Sequence, residues 1–387
     1  MNERNDDGKI LILGGFGRVG QEAARYLLAA TGARIVLASR SPRTLPAWVT
    51  PAWAQRVTLQ TLDSAQPEAL QAACAQARLV VSCIGPSGVV GDRVARACKR
   101  ARTPLIDAGG YDPLLHALEA AEREAPSEVP LVINVGLLPG LSGLFPHWLI
   151  ETRAAGRAVA QLDLHYVGRD AWTYNSAWDI VNSLGGFGED RGFCYLQGQR
   201  VVSVPMRRAA SKVAFPEPIG QVTTMLIYAE EIVRLALRHD IDTARVYGAN
   251  IGPRAALVCL LAKLLRLYRS PGDVDRGARW LAAASARDLR KQAPAYGIRA
   301  ALRYRDDDGG GSDSAVLVLS DTYRATGTVV GIAAQCLLDG EGPAAGVFML
   351  HEAVPPERFM QRLQAQGLVR IAHEDRGAAV AAAQVSA

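Results

Sequence analysis

Apolar positions along the chain fall into two regimes that meet near residue 138. Before that point, short apolar or β-branched runs at residues 9–13, 33–40, 56–62, 79–84, 104–108 and 130–134 alternate with stretches of helix-forming residues. The helical stretches are 21–30, 67–76, 92–102 and 113–125. Runs without an internal polar alternation are the pattern of parallel strands buried on both faces. Strand and helix in strict alternation predict an α/β fold with a doubly wound parallel sheet.

After residue 138 the alternation fades. A helix is predicted over 144–154, an alternating strand over 160–168 and another strand over 200–205. Two helices are predicted over 221–239 and 253–269. Strands at 299–305 and 314–321 flank Asp306-Asp-Asp-Gly-Gly-Gly-Ser-Asp313, a hairpin loop whose three leading aspartates read as a solvated tip. This part reads as an inserted α+β domain. The expected division is a first domain over 1–138, with 345–375 packing back on it, and a substrate or oligomerisation domain over 139–344. The Ala-rich tail from Glu374 has no clear pattern and is expected to fray.

The first chemistry lies where the first strand ends. Gly14-Gly-Phe-Gly-Arg-Val-Gly20 fits G-x-G-x-x-G between a strand and a helix, the context in which that spacing binds a dinucleotide. Gly15 is expected to make the tight turn, Gly17 to admit a pyrophosphate and Gly20 to let the helix lie close, with Phe16, Arg18 and Val19 between them. The phosphates would meet the N–H groups at the positive end of the helix. The sheet is therefore of Rossmann type. Its remaining cleft walls are expected at Asp63, Cys83, Gly85, Pro86, 107–111 and 136–140, the last two including Asp107 and Gly136, because ligands bind beyond the carboxyl ends of such strands. An NAD-specific fold places a carboxylate about 20 residues past the glycines. That count from Gly20 reaches Arg40, flanked by Ser39 and Ser41. A guanidinium between two hydroxyls suits a 2′-phosphate, so NADP(H) is the expected cofactor. For Cys83 the simpler role is a buried, inert thiol.

Composition adds mainly exclusions. With 49% hydrophobic and 21% charged residues, the 387-residue chain can build sizeable cores. Lys+Arg 43 against Asp+Glu 38 gives a net charge of +5, spread without a dense basic patch, so no nucleic-acid partner is expected. Six cysteines lack any C-x-x-C pair and point to a reducing compartment. The polar amino terminus is not a signal peptide, and no apolar run reaches the ~18 residues of a membrane span, so no transmembrane span and a cytoplasmic location are expected. The nearest candidate, 255–267, is broken by Lys263 and Arg266.

Several motifs together carry a family resemblance. Gly15-x-Gly-x-x-Gly20, Cys83-Ile-Gly-Pro86, Ile106-Asp-Ala-Gly109 and Gly136-Leu-Leu-Pro-Gly-Leu-Ser142 resemble the saccharopine dehydrogenase-like oxidoreductases. So do Tyr174-Asn-Ser-Ala-Trp178, the strand up to Pro205, Ala325-Thr-Gly-Thr-Val-Val-Gly-Ile-Ala-Ala334 and Gly346-Val-Phe-Met-Leu-His-Glu-Ala-Val-Pro355. Family members that bind amino-acid carboxylates have a Gly-Gly-x-Pro turn after the strand ending at Val167. Here the turn is Gly168-Arg-Asp-Ala-Trp172, which implies a flatter, less charged ligand.

The resemblance implies an NADPH-dependent reductase of a small-molecule C=N substrate, expected as a homodimer. Its narrowest form is a thiazolinyl imine reductase of siderophore assembly, acting on a thiazoline tethered to an acidic carrier protein. The resemblance also places the aromatic segment over the nicotinamide. That makes Tyr174 and Asp179 the expected proton-transfer residues, whereas His165, Tyr166 and Trp178 read more simply as packed side chains. Three other activities fit the same motifs: an amino-acid or opine-type dehydrogenase, a trans-acting enoyl reductase, and a non-catalytic NADPH-binding regulator.

Overall fold

A computed structural model describes residues 8–109, 112–186, 193–305 and 311–374. The chain divides into two compact units, residues 1–141 with 323–363 and residues 142–322 with 364–387. The first unit opens with β1 (Lys9–Leu13), α1 (Arg18–Ala30), β2 (Ile35–Ser39), α2 (Pro51–Ala54), β3 (Val57–Thr61), α3 (Pro67–Ala75), β4 (Ala77–Ser82), α4 (Ser87–Val90), α5 (Arg93–Ala101), β5 (Leu105–Asp107), α6 (Asp112–Glu124) and β6 (Pro130–Ile133). Then α7 (Leu141–Arg153) leads into the second unit, which holds β7 (Val159–Arg169), α8 (Tyr174–Gly186), β8 (Cys194–Gln197), β9 (Arg200–Ser203), β10 (Ala210–Phe215), β11 (Gly220–Ile227), α9 (Glu230–Arg238), β12 (Thr243–Asn250), α10 (Pro253–Leu264), α11 (Pro271–Asp288), β13 (Ala295–Tyr304) and β14 (Ser312–Leu319). The chain returns through α12 (Thr322–Leu338), β15 (Gly346–Met349), α13 (Leu350–Ala353) and α14 (Pro356–Ala365), and β16 (Arg370–Glu374) follows.

The first sheet has the order β15-β6-β5-β4-β1-β2-β3, parallel throughout. This is the expected doubly wound α/β sheet with one added edge strand. Its strands are apolar on both faces because both faces are covered: Ile10 and Ile12 are buried, and so are Leu11 and Leu13 of the opposite face. On one side Leu11, Val80, Leu105 and Leu131 pack with Leu70, Cys74, Val94, Cys98 and Leu115 from α3, α5 and α6. The strand order reverses between β1 and β4, and this crevice is where such sheets bind ligands.

The second unit is a mixed nine-stranded sheet with the main order β10-β11-β12-β7-β13-β14-β16, to which β8 and β9 attach through β12. Only β7 and β12 run parallel; the other pairs are antiparallel. Helices α8, α10 and α11 form their own core around Ala177, Trp178, Val181, Ala262, Val274 and Leu281.

Three expectations about the frame are revised. Residues 221–239 were expected as one helix, but β11 occupies its first half and only Glu230–Arg238 is helical. Val222, Thr223, Thr224 and Ile227 are β-branched, and Val222 to Thr224 pair with Val213 to Ser211 of β10. The helix expected over 253–269 ends at Leu264, and Arg266 takes a left-handed conformation (φ 54°). The chain also rejoins the first unit at Tyr323 rather than near 345, and β16 pairs with β14 of the second unit instead of packing on the first. Asp306 to Asp308, Tyr111 and most of the tail lie outside the described residues.

Candidate functional site

The glycine loop closes on itself. Gly14 carries the positive φ (76°), a role expected of Gly15, and a Cβ there would lie 2.7 Å from the Cys83 carbonyl oxygen at the end of β4. Gly14 therefore sits at the switch point, where two strand ends nearly touch. Gly20 is as constrained by contact: its Cβ would lie 2.3 Å from the Gly14 oxygen and 2.9 Å from the Gly15 Cα. Helix α1 begins at Arg18, with Gly17 as its N-cap, so the N–H groups of its first turn have no intrahelical partner and face the crevice end of the sheet. Arg18 turns away from the turn to lie 3.5 Å from the centroid of the Tyr323 ring, and Val19 contributes its carbonyl to the close approach of Gly327.

Beside this loop, at the ends of β2 and β3, is a cavity of about 170 Å³ lined by Phe16, Ser39, Pro42, Arg43, Leu59, Gln60 and Thr61. Ser39 Oγ donates to the Ser41 carbonyl at 2.6 Å and so shapes the loop. Arg43, not Arg40, lines the cavity, with its guanidinium carbon 5.9 Å from the Phe16 ring centroid. Arg40 is exposed on the same turn. Asp63 follows β3 and accepts a hydrogen bond from the Ala65 N–H at 2.9 Å.

The inner end of the crevice is polar and buried. Burial raises Asp107 to about 7, against the N–H of Gly109, which donates to its carboxylate at 2.9 Å, and the Ser82 hydroxyl, both of which favour the ionised form. Burial, with the Asp107 charge second, pushes the Cys83 thiol far above its ordinary range, which leaves it a poor nucleophile. Gly85 and Pro86 are joined by a cis peptide just past β4. Gly136 accepts the Leu141 N–H at 2.8 Å and donates to the Pro139 carbonyl at 3.1 Å, folding residues 136–141 into a tight turn beyond β6. Asn134 is 1% exposed, and neither its Oδ1 nor its Nδ2 has a partner among the described residues. A buried amide with no partner is costly unless a ligand or water supplies one.

In the second unit the expected proton-transfer residues, Tyr174 and Asp179, both lie on α8. Tyr174 is 42% exposed at the start of α8, and its hydroxyl donates to Asp275 of α11 at 2.5 Å, which holds the phenol above its ordinary pKa. Asp179 is half-buried on the same helix. The Gly168–Trp172 segment, from which a flatter, less charged ligand was expected, is tied inward: Arg169 Nε donates to the Ala293 carbonyl at 2.8 Å, the Thr322 hydroxyl donates to Asp170, and the Trp172 N–H donates to Ser285 Oγ at 3.1 Å. His165 is buried, stacks on Tyr247 at 4.6 Å and is lowered to about 3 by burial and by Arg299, so it is neutral at physiological pH. Trp178 packs in the helical core.

One buried cluster has no counterpart in the sequence reading. Ser142 donates to Glu231, which is 2% exposed in the first turn of α9. Both the Tyr166 and Tyr296 phenols are raised by burial and by the nearby Glu231 charge, and Tyr296 Oη has no partner among the described residues. Ser142 closes the Gly136–Ser142 motif, which was the one available signal; Glu231 lies 89 residues away and carried none.

A strand, a glycine turn and a helix at the switch point of a parallel sheet, with a cationic pocket at the end of β2, define the first unit as dinucleotide-binding. Residues 10–132 match the model of the saccharopine dehydrogenase NADP-binding domain family. The chain is 28% identical over 138 residues to a mitochondrial saccharopine dehydrogenase-like oxidoreductase of Arabidopsis thaliana, a match covering 32% of this chain and 30% of that protein. It is 39% identical over 105 residues to a protein of Mycobacterium tuberculosis named a trans-acting enoyl reductase, covering 26% of this chain and 25% of that one. The matched stretches thus span less than a third of either relative. The solved structure of saccharopine dehydrogenase (L-Glu forming) from Saccharomyces cerevisiae superposes with a TM-score of 0.60 at 14% identity, covering 95% of this chain and all of that one. The chain therefore has the saccharopine dehydrogenase fold.

The groups present fit NADP. The α1 amino terminus suits a pyrophosphate, Arg43 and Arg40 suit a 2′-phosphate, and the Asn134 side-chain amide, without a partner among the described residues, suits a ligand that both donates and accepts hydrogen bonds.

Proposed function

We propose that the protein is an NADPH-dependent reductase that delivers hydride to a C=N bond of a small molecule, working as a homodimer. The observation that carries the cofactor half of this reading is the Arg43-lined cavity beside the glycine turn. Bound NADPH supplies the hydride. The chain's own residues hold it: the first-turn amides of α1 take the pyrophosphate, Ser39, Arg40 and Arg43 take the 2′-phosphate, and Asn134 and Asp107 line the inner crevice. With its pKa raised to about 7, Asp107 is about half protonated near neutral pH, which lessens the negative charge beside an already anionic cofactor. For the substrate side we assign Asp179 to proton transfer and Tyr174 to positioning, because the Tyr174 proton is already donated to Asp275.

The narrower form is reduction of a carrier-bound thiazoline in siderophore assembly. The second reading is a C=C reductase, favoured by the 39% identity to the protein named a trans-acting enoyl reductase. Following NADPH absorbance with cyclic imines, thiazoline thioesters, enoyl thioesters and 2-oxo acids with amines separates them. The proposal expects oxidation with the C=N compounds. Oxidation with enoyl thioesters alone would favour the second reading, and cofactor binding without turnover on any class would favour a regulator.

A further inference from the structure

Helix α10 has two unlike faces. Ala255 and Ala262 are buried against α8 and α11, with Val258 and Cys259 packed beside them. On the opposite face Leu257, Leu260, Leu261 and Leu264 recur at steps of three and four, which aligns them in one stripe, and Leu265 continues it past the helix end. Leu257 and Leu260 are 55% exposed, Leu265 60% and Leu264 68%. Trp280 of the neighbouring α11 is half-exposed as well. Single exposed leucines need no explanation, but a continuous stripe marks an interaction surface.

The charge around the stripe identifies the partner. Residues 253–290 contain eight Arg and Lys against three Asp. Each of those aspartates is already engaged by an arginine: Asp273 with Arg276, Asp275 with Arg279 and Asp288 with Arg254. Arg266 and Arg269 follow directly on the leucines and are exposed, as are Arg276 and Arg279 on α11.

We propose that this face docks on the surface of an anionic phospholipid bilayer, with α10 lying in the plane of the interface. Leucine side chains would enter the acyl boundary, Trp280 would sit at headgroup level, and the arginines would meet lipid phosphates. No helix among the described residues is long and apolar enough to cross a membrane, and in-plane docking requires none. A second copy of the chain fits this face poorly, since a two-fold contact would bring two equally basic surfaces together. The proposal does not rest on the reductase reading and would survive its failure.

Co-sedimentation of the full chain with phosphatidylcholine vesicles, with and without phosphatidylglycerol, tests it. Binding is expected to the anionic vesicles only, weakened by high salt. Leu260→Gln with Leu264→Gln should weaken binding at least roughly tenfold, because two exposed apolar anchors are lost from the acyl boundary. Arg266→Gln with Arg276→Gln should weaken it in the anionic case. Both pairs are exposed, so the melting temperature should stay unchanged, which separates lost docking from misfolding. Absence of sedimentation with anionic vesicles, or sedimentation indifferent to both pairs, would overturn the proposal. So would conversion of a dimer to a monomer by the leucine pair in sedimentation equilibrium, which would assign the stripe to a second copy.

Discussion

The Arg43 guanidinium lies over the Phe16 ring, 5.9 Å from its centroid, and so joins the loop after β2 to the glycine turn after β1. At this distance a cation–π contact is worth ~0.5–1 kcal/mol at an exposed site. Its importance is geometric: it puts a positive charge on the wall of the cavity that Ser39, Leu59 and Thr61 complete.

Gly20→Ala should disable the cofactor site. The new methyl would meet backbone atoms of Gly14 and Gly15 at 2.3 and 2.9 Å, and backbone cannot rotate away as a side chain can. The turn must open or α1 must move off it. NADPH affinity, read by fluorescence titration, should fall by at least tenfold, since ~1.4 kcal/mol of misplaced phosphate contacts suffices for that. An unchanged affinity would show that the phosphates do not bind at this turn.

Asp107 should leave a signature in the pH dependence of stability. Its folded pKa of about 7 lies above the ~3.9 of an unfolded aspartate. The folded state therefore keeps a proton that the unfolded state has already lost, and stability falls as pH rises from ~4 to ~7. Below that window both states are protonated and the effect vanishes. Asp107→Asn removes the titration, so its melting temperature relative to the natural protein should be higher at pH 8 than at pH 4, by roughly 2–4 °C per kcal/mol. A difference that stays constant with pH would contradict the buried, raised carboxyl.

Tyr174→Phe tests the substrate side. The ring is kept and one exposed hydrogen bond to Asp275 is lost, so the melting temperature and NADPH affinity should hardly change. Turnover on a true substrate should fall less than tenfold, whereas loss of a general acid costs ~10²–10⁴-fold. Asp179→Asn should give the larger loss. A hundredfold drop for Tyr174→Phe would reverse the two roles.

What could be read from the sequence was local. Lys9–Leu13, the glycine turn and the helix after it are contiguous, and the strand–helix alternation through Ile133 needs no distant information. What the sequence did not show depends on partners that periodicity and spacing do not reveal. Counting 20 from Gly20 reaches Arg40, but β2 ends at Ser39 and the loop through Pro42 brings Arg43 back to Phe16. Gln221 to Ile227 read as helix because its pairing with β10 and β12 is invisible in periodicity alone. Asp275 lies 101 residues from Tyr174, so no spacing rule could show that the phenol is engaged.

The most direct test of the account is equilibrium binding of NADPH and NADH to the natural protein and to the Arg40→Ala, Arg43→Ala double variant. The natural protein should prefer NADPH, and the variant should lose ~1.5–3 kcal/mol for NADPH, tenfold to more than a hundredfold, while NADH affinity barely moves. Equal affinities for the two cofactors in the natural protein, or equal losses for both in the variant, would contradict a 2′-phosphate site built by the Ser39–Arg43 turn.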